Sequence, residues 1–195
     1  MDKACAHALT TTALHRDFKM GLFSLFRSKD PDKVASELVA SALDLELGTE
    51  EHRWVKVLSV EVHRYIAERN ALRVGMTQAG VSLSIGDARH VTSPKYKLEV
   101  AIERRFEQYF MAMPNVTPDQ GQGFYRALSS RYIVRPPAEM VGIFHFYLLN
   151  PGAWRDHDIQ STPDYAVPEG FQSFVHALMR QPLKNGLDRA NELGE

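Results

Sequence analysis

The most apolar stretch of the chain is EMVGIFHFYLL, residues 139–149. After Met140 only Gly142 and His145 interrupt the apolar side chains, so this segment is expected to be buried on all sides. Two prolines precede it and Asn-Pro-Gly follows it, which favours a helical start and a stop. We predict a short central helix, although a buried strand is also compatible with so short an apolar run.

Composition and charge restrict the class of protein. The chain has 195 residues, 44% of them hydrophobic, which is sufficient for one globular domain. Its 23 Lys and Arg balance 24 Asp and Glu, so no basic field favours nucleic-acid binding. The apolar segment is about half the length of a bilayer-spanning helix, so no transmembrane segment is predicted. The single cysteine, Cys5, excludes an intramolecular disulfide and multi-cysteine metal sites, which fits a reducing, cytoplasmic location.

The N-terminal region, residues 1–29, is predicted to be a tail that contains one amphipathic segment, residues 18–26. The apolar side chains of this segment share one arc of a helix: Phe18, Leu22, Phe23, Leu25 and Phe26. It is expected either to pack on the rest of the protein or to anchor a partner or a membrane surface. So short a segment buries too little area for independent membrane attachment, so packing on the domain is favoured over peripheral membrane contact.

Spacing and capping signals predict a mostly α-helical domain over residues 30–182, a bundle of about six helices wrapped around the 139–149 segment. Besides that segment, helices are expected over residues 31–47, from 49 through 66, and over 94–113, 124–135 and 168–182. The first two are expected to form an antiparallel hairpin. Residues 183–195 are predicted to be a C-terminal tail.

Residues 73–93 break the helical pattern with three glycines. Val81, Leu83 and Ile85 alternate with serines, a spacing typical of a half-buried strand. We therefore predict a short strand or an extended loop near residues 81–85.

Few residues suggest catalysis. His145 interrupts the most apolar run, and a buried imidazole needs a hydrogen-bond partner or a ligand. It is either a core histidine or part of an enclosed pocket, and burial is expected to lower its pKa. The run Asp156, His157 and Asp158 places carboxylates beside an imidazole, which suits general-base chemistry, but a solvated polar loop whose Asp side chains cap turns is the favoured interpretation. No metal or cofactor motif is present in the sequence.

Several surfaces carry more apolar or acidic residues than the core requires, which predicts contact with a protein partner or a second copy. Leu43 and Leu47 lie off the main apolar stripe of the first helix, and Phe23 and Phe26 precede it. An acidic stripe at four-residue spacing provides a second candidate surface: Glu99, Glu103 and Glu107. We expect a cytosolic, non-enzymatic interaction or regulatory module. The alternative is an enzyme or a small-molecule or cofactor-binding protein with a pocket near His145.

Overall fold

The computed structural model describes residues 29–86, 90–111, 117, 122, 131–132, 137–150 and 167–194. These residues form an all-helical bundle, and none of them lies in a β-strand. Its helices are α1 (Pro31–Ala42), α2 (Thr49–Val57), α3 (Val62–Ile85), α4 (Pro94–Met111), α5 (Pro137–Leu149) and α6 (Phe171–Leu193). The predicted mostly α-helical class is therefore confirmed.

The long helix α3 lies at the centre of the described part of the bundle. It packs against α6 along most of its length and also contacts α1, α4 and α5. Both apolar and polar side chains of α3 are buried, among them Tyr65, Arg69 and Met76. The central position that the sequence assigned to the 139–149 segment is thus held, in this part of the chain, by α3.

Two glycines let α3 and α6 approach until their backbones touch. A Cβ added at Gly80 would lie 2.8 Å from the backbone nitrogen of Leu187, and one at Gly186 would lie 2.9 Å from the carbonyl carbon of Thr77. Both separations are shorter than real Cβ contacts, so only glycine fits without movement of the helices. Gly80, one of the three glycines that suggested a break, is therefore a close-packing position within α3, whereas Gly86 follows the last residue of the helix with a φ of 61°.

The predicted strand near residues 81–85 is wrong. These residues continue α3 to Ile85, with Val81 and Ile85 buried one helical turn apart and Leu83 exposed. The intervening serines use their hydroxyls to contact other helices, Ser82 through Glu99 and Ser84 through Asn191. The alternation of apolar residues and serines, which is typical of a strand, is thus explained by the contacts of this helix with its neighbours.

The predicted helix over residues 49–66 is interrupted, and the predicted hairpin does not form. Ser59 adopts a left-handed conformation with φ of 51°, and the amide of Val60 donates to the carbonyl of Val55 at 3.1 Å. This bonding pattern ends α2 at Val57, and the β-branched residues that surround the break are weak helix formers. Helix α1 makes few contacts with α2 and packs along α4 instead.

Both terminal helices of the domain differ in length from the prediction. Helix α1 begins as expected, with the Asp30 carboxylate accepting from the amide of Asp32 at 3.0 Å, but it ends at Ala42 instead of residue 47. Helix α6 continues through Pro182 to Leu193, so the predicted end at Pro182 is wrong. Pro182 and Gly186 are buried, and this packing offsets the backbone hydrogen bond that proline removes.

Helix α5 contains the apolar segment from which the fold was predicted. It is helical, not a strand, and its interior residues Met140, Phe144 and Leu148 are buried. Glu139 and Leu149 are exposed, so the segment is not buried on all sides. The predicted amphipathic segment at residues 18–26 and most of the predicted helix over 124–135 lie outside the described residues.

Candidate protein-interaction site

A groove open to solvent lies between the start of α1 and the first half of α4, with a volume of 450 Å³. Its apolar lining consists of Pro31, Val91, Tyr96, Val100 and Ala101, and its charged lining of Asp30, Asp32, Lys97 and Arg104. We call this the α1/α4 groove. Helix α1 positions one wall through its N-terminal cap, and α4 supplies the other.

Two valines in the groove are exposed to solvent. Val91 is 70% exposed and Val100 is 46% exposed. Helix α4 turns Leu98, Ile102 and Phe106 into the core, so Val100 lies off its buried face. The groove therefore offers apolar surface that the described helices do not cover, a feature typical of interaction sites.

The charged residues of the groove link its two walls. Arg104 on α4 forms an ion pair with the carboxylate of Asp32 on α1, and both side chains are about half exposed. An ion pair in such contact with solvent contributes little to stability. The ion pair links the two helices at one edge of the groove, and Lys97 adds a second positive charge to the exposed lining.

Two of the predicted partner-binding residues, Leu43 and Leu47, do not line the α1/α4 groove. Leu43 and Leu47 are half-buried and pack against the core, whereas Leu45 between them is 70% exposed. Phe23 and Phe26 lie outside the described residues. Of the three leucines at positions 43, 45 and 47, only Leu45 is exposed, and it lies in the connection between α1 and α2.

The predicted acidic stripe on α4 makes contacts within the chain. Glu99 accepts a hydrogen bond from the hydroxyl of Ser82, and Glu107 accepts one from the side-chain amide of Gln122 at 3.2 Å. Glu103 is exposed. The role of the stripe in partner binding stays a prediction.

His145 lies in the core, as expected. It is 3% exposed, and its ring lies 5.3 Å from that of Phe171. Burial lowers its pKa, because the charged imidazolium loses hydration. Its Nδ1 has no hydrogen-bond partner in the described structure, and the same holds for Nε1 of Trp54, whose indole also packs on Phe171.

The described cavities do not surround His145. Besides the α1/α4 groove, one of 590 Å³ lies at the turn between α3 and α4, and one of 360 Å³ lies beside the turn between α2 and α3. His145 lines none of these three. Asp156, His157 and Asp158 lie outside the described residues, so their role as a catalytic cluster stays a prediction.

A buried polar cluster on α3 was missed by the sequence reasoning. The guanidinium of Arg69, 1% exposed, donates to the carbonyl of Glu46 at 2.7 Å, to the carboxylate of Glu51 at 3.0 Å and to the carbonyl of Asp44. These bonds hold the connection between α1 and α2 in a non-helical path, which explains why α1 ends at Ala42. Arg69 follows the buried Tyr65 by four residues and therefore lies on the same face of the helix. This spacing could have predicted from the sequence that Arg69 is buried.

A second buried cluster joins α3 to residues 131–132. The carboxylate of Glu68 accepts from the guanidinium of Arg131 at 2.5 Å and from the hydroxyl of Tyr132 at 3.1 Å. Arg131 also lies 3.4 Å from the ring centroid of Tyr147. Burial and the Glu68 charge raise the pKa of Tyr132, so its hydroxyl stays protonated and donates. Both clusters satisfy their charges within the chain, which indicates a structural role.

Metal and membrane signatures are absent from the described residues. Among them, no three His, Cys, Asp or Glu side chains are grouped to hold a metal ion. None of the helices described above has the length and apolar character to cross a bilayer. No protein-family model, curated protein or solved structure matches the chain.

Proposed function

We propose that the protein is a cytoplasmic, non-enzymatic interaction module that binds an amphipathic helix of a protein partner in the α1/α4 groove. The observation that carries this proposal is the exposure of Val91 and Val100 in a concave surface. Recognition of an amphipathic helix by an apolar groove is a recurring mode of protein interaction.

The lining of the groove fits such a ligand. Its volume of 450 Å³ lies within the range of small binding pockets and accommodates a few apolar side chains. Charges of both signs surround the apolar surface, so a helix with mixed charges on its flanks suits it best.

A pocket protein built around His145 is the alternative. The unpaired Nδ1 of His145 and Nε1 of Trp54 favour it, because buried polar atoms without partners are often ligand sites or water sites. The described cavities lie elsewhere, so the groove has the stronger support.

Introducing a charge into the apolar lining of the groove tests the proposal. Val100→Glu places a carboxylate in the apolar lining of the groove. Ala40→Glu places the same charge on an exposed position of α1, about 12 Å along that helix from the groove residue Asp32. In extract from cells that produce the full chain, the wild-type protein and Ala40→Glu are expected to sediment as a complex heavier than the 22.1 kDa monomer. Val100→Glu is expected to sediment as the monomer.

Two results would contradict the proposal. One is a wild-type protein that sediments as a monomer, and the other is a complex that persists with both Val100→Glu and Val91→Glu. Far-UV circular dichroism of the purified variants controls for folding, since both valines are exposed and their replacement leaves the core intact.

A further inference from the structure

We infer that the α1/α4 groove is occupied in cis by residues 18–26 of the same chain, which a partner helix must displace. This inference rests on the proposed function of the groove as a helix-binding surface. A partner helix then competes with residues 18–26 for the groove.

Chain connectivity places the segment beside the groove. Asp30 and Pro31 form part of the groove lining, and only residues 27–29 separate them from the segment. Four Cα–Cα steps join Phe26 to Asp30, and four extended steps span at most about 14 Å. The chain therefore keeps the Cα atom of Phe26 within about 14 Å of the Cα atom of Asp30.

The dimensions and chemistry of the segment match the groove. As a helix, the nine residues of the segment measure about 13.5 Å, and the nine residues of α4 from Tyr96 to Arg104, which line the groove, have the same length. The segment presents its apolar side chains on one arc, with Lys19 falling between Phe26 and Phe23 on that arc and Arg27 lying outside it. An apolar arc facing Val91 and Val100 would remove both surfaces from water.

Tethering makes weak contacts sufficient. A short flexible linker gives an effective concentration in the millimolar range. The segment therefore occupies the groove for at least half of the time if its free peptide would bind with a Kd of about 1 mM. A protein partner must exceed this local competition, so the segment sets a threshold for partner binding.

Disulfide trapping in the full chain tests the inference. Leu22→Cys in the segment is combined with Val100→Cys in the groove, after Cys5→Ser removes the native thiol. The control combines Leu22→Cys with Ser173→Cys, an exposed position on α6. Because a disulfide requires Cβ atoms about 4 Å apart, the groove pair is expected to oxidise at least ten times faster than the control, within a monomer.

Equal oxidation rates for the two pairs would overturn the inference, as would a disulfide-linked dimer in place of the monomer. Leu22→Cys with Val91→Cys repeats the measurement at a second groove position, in case Val100→Cys alters the packing. If the groove pair does not oxidise faster than the control but Val100→Glu still abolishes the complex in extract, then only the binding of residues 18–26 is refuted. If the groove pair oxidises faster but the wild-type protein forms no complex in extract, then the partner-binding function is refuted and the contact of residues 18–26 with the groove stands.

Discussion

Replacing either glycine at the crossing of α3 and α6 with alanine is expected to destabilise the fold. The new methyl group at Gly80 would lie 2.8 Å from the nitrogen of Leu187 and closer still to the carbonyl oxygen of Leu183. Ordinary van der Waals contact begins at 3.4 Å, so the helices must separate by about 0.6 Å or more. Backbone atoms cannot rotate away as a flexible side chain can, which places the cost at the upper end of overpacking, about 3 kcal/mol.

The intrinsic preference for alanine in helices offsets part of this cost. Alanine is favoured over glycine by about 1 kcal/mol in a helix interior. The net loss in the free energy of unfolding is therefore about 2 kcal/mol for Gly80→Ala, and a similar loss is expected for Gly186→Ala. Urea denaturation followed by circular dichroism at 222 nm measures both, and Ser173→Ala on the exposed face of α6 serves as the control.

The double variant refines the measurement. Both methyl groups widen the same crossing, so the second should cost less once the first has separated the helices. Variants as stable as the wild type, or more stable by the propensity gain, would refute the close backbone approach of α3 and α6.

Three further changes concern buried polar groups. Glu68→Gln removes the carboxylate beside the buried Arg131 and is expected to lower the free energy of unfolding by about 3 kcal/mol in urea denaturation. Arg69→Lys loses the forked geometry that holds residues 44–46, and a loss of about 2 kcal/mol is expected with faster amide hydrogen exchange in residues 43–48. Burial lowers the pKa of His145 in the folded protein below its unfolded value of about 6.5. The neutral imidazole therefore contributes its full stabilisation above about pH 6.5, and this contribution is lost as the pH falls from there through the folded pKa. His145→Gln should therefore have a flatter stability profile than the wild type between pH 7 and 5.

Each of these three predictions can be contradicted by a specific result. Unchanged stability of Glu68→Gln would show that Arg131 does not depend on that carboxylate. Normal exchange in residues 43–48 of Arg69→Lys would remove the explanation for the early end of α1. Parallel pH profiles of the wild type and His145→Gln would show that the imidazole is hydrated in the folded protein.

Local spacing predicted the helices whose buried faces are simple. In α4, Leu98, Ile102 and Phe106 repeat every four residues and all face the core, so the predicted helix is nearly correct in length. In α3, polar side chains are buried beside apolar ones, so the helix lacks an amphipathic pattern. Gly75 and Gly80 resemble helix breaks in the sequence, because their packing partners, Tyr132 for Gly75 and α6 for Gly80, are distant along the chain.

The candidate site was harder to predict because its walls are distant in sequence. Asp32 and Arg104 are joined only by the packing of α1 on α4, which the predicted hairpin of the first two helices did not anticipate. Val91 and Val100 belong to no recognisable sequence motif, so the sequence alone did not indicate that they are exposed. His145 was found from the sequence alone because a single polar residue interrupts an apolar run, a purely local signal.

Site-specific photo-crosslinking at position 100 tests whether the α1/α4 groove contacts a second protein chain. A benzophenone amino acid in place of Val100 reports any chain that contacts the α1/α4 groove in cells, and the same group in place of Ala40 provides the control. The account predicts a crosslink from position 100 to a second protein chain, at a level well above that from position 40, and a stronger one when Leu22→Glu and Phe26→Glu release the groove. Equal, background crosslinking from both positions in every variant would contradict the claim that this groove is an interaction surface.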